Sequence, residues 1–274
     1  MSKIVFITGA SKGFGKLWAE ALLQRGDKVA ATARNVSSLQ DLKDKYGDNI
    51  LPLQLDVNNR TEVFKTVEKI ETHFGKIDVL INNAGFGLFG TTEETTEQQA
   101  REQMETNFFG SLWVAQAVLP VMRKQKSGHI IQISSFLGLT TLPLLGLYNA
   151  SKFAVEGLIE TIGSETAHLG IKTTLIEPNG FATDWAGASA VQTSSEIGDY
   201  NPVRVAFAES GENPETWGKP EATVKPVLNL IDNQNPPQRL LLGKIAYHAV
   251  NEVYTKRLND IQEWKEVSIA AHGH

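Results

Sequence analysis

Apolar positions along the 274-residue chain follow two periods that alternate. Runs rich in β-branched residues over 3–7, 28–33, 50–55, 78–82, 130–135, 172–177 and 239–243 read as strands. Between them the spacing becomes helical. Leu17, Trp18, Ala21, Leu22 and Leu23 repeat up to Gly26, and similar patterns cover about 37–46, 60–74, 96–124 (with Pro120 near its end), 148–169, 220–232 and the stretch to about Ile261, before a polar tail. Strands separated by helices of ten or more residues need crossovers between parallel neighbours, and these are right-handed. The expectation is an α/β fold in which a doubly wound, mostly parallel sheet of about seven strands carries helices on both faces, in a single domain over 1–274. Residues 184–219 break the rhythm: Gly, Ser, Thr, Asn and Pro surround Trp185, Tyr200, Phe207 and Trp217, as in a substrate-binding loop or lid with short helices.

The candidate chemistry sits where the fifth main strand ends in Ser134-Ser135 and a helix opens at Tyr148-Asn149-Ala150-Ser151-Lys152. Tyr148 and Lys152 stand at i and i+4 and share a helix face. A free phenol has a pKa of about 10, so it exchanges protons poorly at neutral pH unless a nearby cation stabilises the phenolate. Ser135, at the strand end, is placed to hydrogen-bond an oxygen that Tyr148 protonates. Taken alone, a Tyr and a Lys one turn apart are also an ordinary surface pair.

A second constellation follows the first strand. Gly9, Gly13 and Gly15 in Thr8-Gly9-Ala10-Ser11-Lys12-Gly13-Phe14-Gly15 let the backbone turn tightly, and the helix that starts near Phe14 points free N–H groups at an anion. Strand, glycine turn and helix together make the sheet Rossmann-type and point to a dinucleotide. The second strand ends in Ala33-Arg34 and carries no acid for a ribose 2′-OH, whereas Arg34 and Lys12 supply two cations for a 2′-phosphate. NADP(H) is therefore the expected cofactor.

Bulk properties narrow the remaining classes. A net charge of -5 with dispersed basic residues leaves no electrostatic footprint for nucleic acid or an anionic membrane. The chain has no cysteine, so disulfides and thiolate chemistry are excluded, and no apolar run approaches the roughly 18 residues a membrane span needs. A soluble cytoplasmic protein is expected. The six histidines show no paired ligand spacing, so no metal is expected, and Glu93, Glu94 and Glu97 read as helix-capping carboxylates.

With these motifs in order, residues 3–185 resemble the short-chain dehydrogenase/reductases. The turn from Thr8 to Gly15 is similar to the family's T-G-x-x-x-G-x-G, Asn82-Asn83-Ala84-Gly85 to its N-N-A-G, and Tyr148 with Lys152 to its Y-x-x-x-K, while Ser135 falls thirteen residues before the tyrosine. The resemblance implies that Tyr148 is the acid/base, that Lys152 lowers its pKa and holds the nicotinamide ribose, that Ser135 orients the carbonyl, and that Asn107 sustains a water-linked proton relay. It also implies a cofactor site made of Gly9, Ser11, Lys12, Gly13, Phe14, Gly15, Arg34, Asp56 (against adenine), Val57, Asn83, Ala84, Gly85, Tyr148, Lys152, Pro178, Phe181 and Thr183. One departure is Asn179, which stands where the family usually has glycine after Pro178; Asn tolerates positive φ, so the turn is expected to survive. Thirteen-residue spacing selects Ser135 over Ser134, which alternation turns to the other face.

The function implied is a carbonyl reductase or alcohol dehydrogenase moving hydride between NADP(H) and a ketone, aldehyde or secondary alcohol. A lipophilic substrate is suggested by similarity to steroid- and retinol-acting members over 82–183 and by Leu137, Leu139, Leu142, Leu144 and Leu145. Alternatives are an NAD-linked alcohol or hydroxysteroid dehydrogenase and a non-catalytic dinucleotide sensor. The family also implies a homodimer or homotetramer paired through its long helices, which Val114, Ala117, Ala154 and Leu158 would permit.

Overall fold

Seven of the β-rich segments pair into one parallel sheet in the computed structural model, which describes residues 2–183, 185, 187, 190–213 and 216–273. In chain order the elements are β1 (Ile4–Ile7), α1 (Gly13–Arg25), β2 (Lys28–Ala33), α2 (Gln40–Tyr46), β3 (Ile50–Gln54), α3 (Arg60–Phe74), β4 (Val79–Asn82), β5 (Leu88–Phe89), α4 (Glu97–Met104), α5 (Ser111–Gln125), β6 (Gly128–Ile133) and α6 (Gly146–Thr166). There follow β7 (Ile171–Pro178), β8 (Val191–Gln192), α7 (Asn201–Glu212), α8 (Val224–Asp232), β9 (Arg239–Leu242), α9 (Lys244–Glu263) and α10 (Lys265–Ala270). The main sheet runs β3-β2-β1-β4-β6-β7-β9, parallel throughout. Alternation along β1 shows how both faces are buried. Val5 and Ile7 pack with Trp18, Leu22 and Val227 on one side, and Phe6 packs with Val63, Ile70 and Val118 on the other. The strand order reverses at β1 and β4, and at that switch point the carboxyl ends of the strands open a crevice.

Three expectations need correction, and one pair of strands was not expected. The helix expected over 96–124 is two helices, α4 and α5, joined by a π-helical segment Glu105–Gly110, because the Asn107 side chain is drawn to the Phe86 backbone. A two-stranded sheet of β5 and β8 lies beside the crevice, its strands too short for a period to register. The polar tail is helical as α10. Val114 and Ala117 are buried in the core of their own chain and offer nothing to a second subunit. Among the described residues no helix is long and apolar enough to cross a membrane.

Candidate active site

Two turns at neighbouring strand ends are bolted together by Thr8. Its hydroxyl accepts from the N–H groups of Asn83 at 2.9 Å and Ala84 at 3.0 Å, and it donates to Asn82 Oδ1 at 3.2 Å. Asn83 Nδ2 donates in return to the carbonyls of Thr8 and Gly9 at 3.0 and 3.1 Å. Gly9 has φ 67°, and a Cβ there would stand 3.0 Å from Ala84 Cα, while one at Gly15 would strike the Gly9 carbonyl and lie 2.7 Å from Asn83 Nδ2. Only glycine fits at either position. The bare backbone and the start of α1 are a cradle into which a pyrophosphate fits.

The other expected dinucleotide residues lie on this turn or just after β2, β3 and β7. Phe14 stacks on Trp18 at 4.8 Å and meets Phe181 edge-on at 5.2 Å. Thr183 faces the turn, its Cβ 3.9 Å from where a Cβ on Gly13 would stand. Ser11 is half-buried, and Lys12 and Arg34 are exposed and enter none of the ion pairs formed among the described residues. Asp56 is exposed after β3 with Oδ1 accepting from the Asn58 N–H at 3.0 Å, and Val57 beside it is buried. The turn after Pro178 accommodates Asn179 without the conformation that would favour glycine. Asn179 does not adopt positive φ; its side chain lies against Gly243 and donates from Nδ2 to the Gly180 carbonyl at 2.8 Å. The asparagine thus joins the Pro178 turn to the start of α9.

Tyr148, Lys152, Ser135 and Asn107 are buried together where β4, β6 and β7 end. Ser135 Oγ accepts from the Leu137 N–H at 3.1 Å, donates to the Pro178 carbonyl at 3.4 Å and reaches the Tyr148 hydroxyl, whereas Ser134 faces away toward Glu156. Lys152 Nζ donates to the Ile133 carbonyl at 2.9 Å and lies 5.6 Å from the centre of the Tyr148 ring. The ammonium therefore sits over the ring. Burial pushes the Tyr148 phenol well above its usual value, with only the Ser135 hydrogen bond opposing it. Burial also lowers Lys152, to about 8, against the opposing charge of Glu156.

Asn107 reaches this group through a residue that the motif spacing did not single out. Its amide spans the Phe86 backbone, Oδ1 accepting from N–H and Nδ2 donating to C=O, each at 3.0 Å. Nδ2 also donates to Ser151 Oγ at 3.0 Å, and that hydroxyl donates to the Tyr148 carbonyl at 2.8 Å. Ser151 was visible only as the residue before Lys152, since a fully buried hydroxyl looks like any serine in sequence.

Aromatic side chains close the other side of Tyr148. Trp185 lies 4.9 Å from its ring, Phe89 lies 5.2 Å from Trp185 and 6.4 Å from Phe207, and Leu137 and Leu145 complete the cluster. Gly87 makes room for the indole, since a Cβ there would stand 2.6 Å from Trp185 Cζ2. Of the other leucines expected here, Leu139 is buried outside the cluster and Leu142 is exposed. Helix α7 is tied down beyond the aromatics. Arg204 pairs with the buried Glu94 carboxylate, which also accepts from Thr91 Oγ1 at 2.6 Å and the Ile197 N–H at 2.9 Å, and Tyr200 donates to Glu93 at 2.6 Å. The Thr91 and Ile197 hydrogen bonds and the guanidinium hold Glu94 down at about 2.

Comparison with known proteins gives concordant matches. A family model described as short chain dehydrogenase matches residues 3–194. Oxidoreductase BOA17 of Botryotinia fuckeliana is 39% identical over 275 residues, covering 99% of this chain and 100% of that one. A 3-ketodihydrosphingosine reductase of Bacteroides thetaiotaomicron is 37% identical over 246 residues, covering 89% of each chain. The crystal structure of a short-chain dehydrogenase from Streptomyces avermitilis superposes with a TM-score of 0.91 at 32% identity and 98% coverage of both chains. Among other structures of this fold, one 28% identical holds NADP (TM-score 0.73) and one 24% identical is in complex with NAD (TM-score 0.79).

Proposed function

The chain belongs to the short-chain dehydrogenase family and is an oxidoreductase of nicotinamide dinucleotides, and from that premise we propose that it reduces a lipophilic ketone or aldehyde with NADPH. The observation that carries this reading is the buried convergence of Ser135, Tyr148 and Lys152 beside the glycine cradle. Bound there, the dinucleotide supplies hydride to the carbonyl carbon. The residues of the chain do the rest. Ser135 and Tyr148 share the carbonyl oxygen, and Tyr148, which burial keeps protonated, gives its proton to that oxygen as charge develops. Lys152 holds a positive charge beneath the ring, and Asn107, through Ser151, fixes the first turn of α6. Trp185, Phe89 and Phe207 support an apolar substrate, as does similarity to a relative named for reducing a ketosphingoid base. The cations Lys12 and Arg34 support NADPH over NADH. The described residues between 185 and 213 act as the lid, with α7 as a wall held by Arg204 and Tyr200; the rest of the expected 184–219 lid lies in part outside the described residues.

A panel of ketones and aldehydes of graded chain length, followed by NADPH absorbance, tests this reading. Turnover rising with apolar length is expected. Tight NADPH binding with no turnover on any carbonyl would leave a dinucleotide sensor instead. The same reading includes a homodimer or homotetramer built on two exposed rings, Phe109, which stacks on Trp113, and Phe153. A monomeric elution volume in gel filtration would contradict it.

A further inference from the structure

Behind Lys152, on the side away from the aromatics, lies a group of charges that the hydride-transfer scheme does not use. Glu156 follows Lys152 by one turn of α6 and is 5% exposed, and Glu177, one residue before Pro178 on β7, is 0% exposed. Arg239 on β9 serves both: Nη2 lies 2.9 Å from Glu156 Oε2 and Nε 3.1 Å from Glu177 Oε1, and it also pairs with the half-exposed Glu160. Ser134 points into the same space, since a Cβ on Gly138 would stand 2.8 Å from its Oγ and 3.0 Å from Glu156 Oε1.

Two facts of this cluster belong together. Among the described residues, Glu156 Oε1, both carboxyl oxygens of Glu177 and Ser134 Oγ are buried without a hydrogen bond of normal geometry. Ionised carboxylates only accept, so neither glutamate can satisfy the other; one proton turns one of those oxygens into a donor. Charge counting agrees. With every group ionised, Glu156, Glu160 and Glu177 face Lys152 and Arg239, three negative charges against two positive; with one shared proton the sum is zero. Two carboxylates confined around one guanidinium do not both ionise in a buried space.

We propose that Glu156 and Glu177 hold one proton between them, and that this singly charged pair is the counter-ion that keeps Lys152 an ammonium beneath Tyr148. Both are positioning residues. Burial, which pushes both carboxyls up and Glu177 to about 8, acts in the direction of the shared proton. Glu156 supplies the charge that opposes the lowering of Lys152. The groups facing the pair are Lys152 and Glu160 from α6, Arg239 from β9 and Ser134 from the end of β6. The link to turnover rests on the proposed function; the pair itself does not.

The test uses the full chain without substrate. Infrared spectroscopy at pH 7 in H2O and D2O is expected to show a protonated carboxylic acid that E177Q and E156Q each remove; its absence from the wild type overturns the shared proton. Carbon-13 NMR of labelled lysine, with Lys152 assigned through K152R, reads the ammonium directly. Its midpoint is expected to fall by about one pH unit in the double variant E156Q/E177Q, in which the pair carries no charge, and a midpoint that does not move overturns the counter-ion role. Where the double variant does not fold, E156Q alone replaces it, with the midpoint expected to stay within a few tenths of a unit of the wild type because Glu177 then ionises and keeps the single charge; a fall of a full unit overturns the proposal. If the wild type turns over no carbonyl, the proposed function fails while both spectroscopic readouts still decide the pair.

Discussion

Tyr148 is placed to act as an acid. Its phenol is buried, Ser135 touches its oxygen and Trp185 shields its ring, so Tyr148→Phe removes one proton donor and little packing. The expected loss in kcat is roughly 10²- to 10⁴-fold, with NADPH affinity by fluorescence titration nearly unchanged; retained turnover would reject the assignment. Arg34→Asp speaks to a different atom group. A charge-assisted contact to a 2′-phosphate is worth about 1.5–3 kcal/mol, so KM for NADPH is expected to rise roughly ten- to hundredfold while NADH is unaffected or improved. Equal effects on both cofactors would show that Arg34 reads no phosphate. Ser135 and the Tyr148–Lys152 pair were legible because spacing carries chemistry directly. Asn179 was not, because its partner Gly243 is distant in sequence and only the docking of α9 brings the two together.

At the scale of elements, helix α7 depends on a latch rather than on a core. It has no buried residue of its own among those described, and Arg204 holds it to Glu94 while Tyr200 reaches Glu93. Arg204→Ala is expected to speed amide hydrogen exchange over 198–212 and to raise substrate KM by roughly threefold or more, with kcat less affected. Exchange as slow as in the wild type would show that the latch holds nothing. The glycine turn and the seven main strands could be read from the chain because each is a local pattern. The π-helical segment at Glu105–Gly110 could not, because a helix with one extra residue in a turn keeps nearly the same apolar spacing. What opens it is the capture of the Asn107 amide by the Phe86 backbone.

For the molecule as a whole, the buried acid pair couples stability to pH. Glu177 has a folded-state pKa raised to about 8, so between the usual carboxylate value of about 4.3 and about 8 the folded chain binds a proton that the unfolded chain does not. Its contribution is complete below that window and is lost as pH rises through about 8. Melting temperature is expected to decline across the window in the wild type, and this decline is expected to shrink in E177Q; identical slopes would remove Glu177 from the account. The order of strands and helices, the glycine cradle and the Tyr148–Lys152 face were determined by the sequence itself, since each depends on residues near one another along the chain. The partnership of Glu156 with Glu177 and Arg239, the bridge from Asn107 through Ser151, and the closing of Trp185 over Tyr148 were decided only by the tertiary structure. Those contacts join α6 to β7 and β9, the segment after Met104 to α6, and the stretch after β7 back to α6, and no local spacing encodes which buried side chains a sheet's strand order will bring face to face.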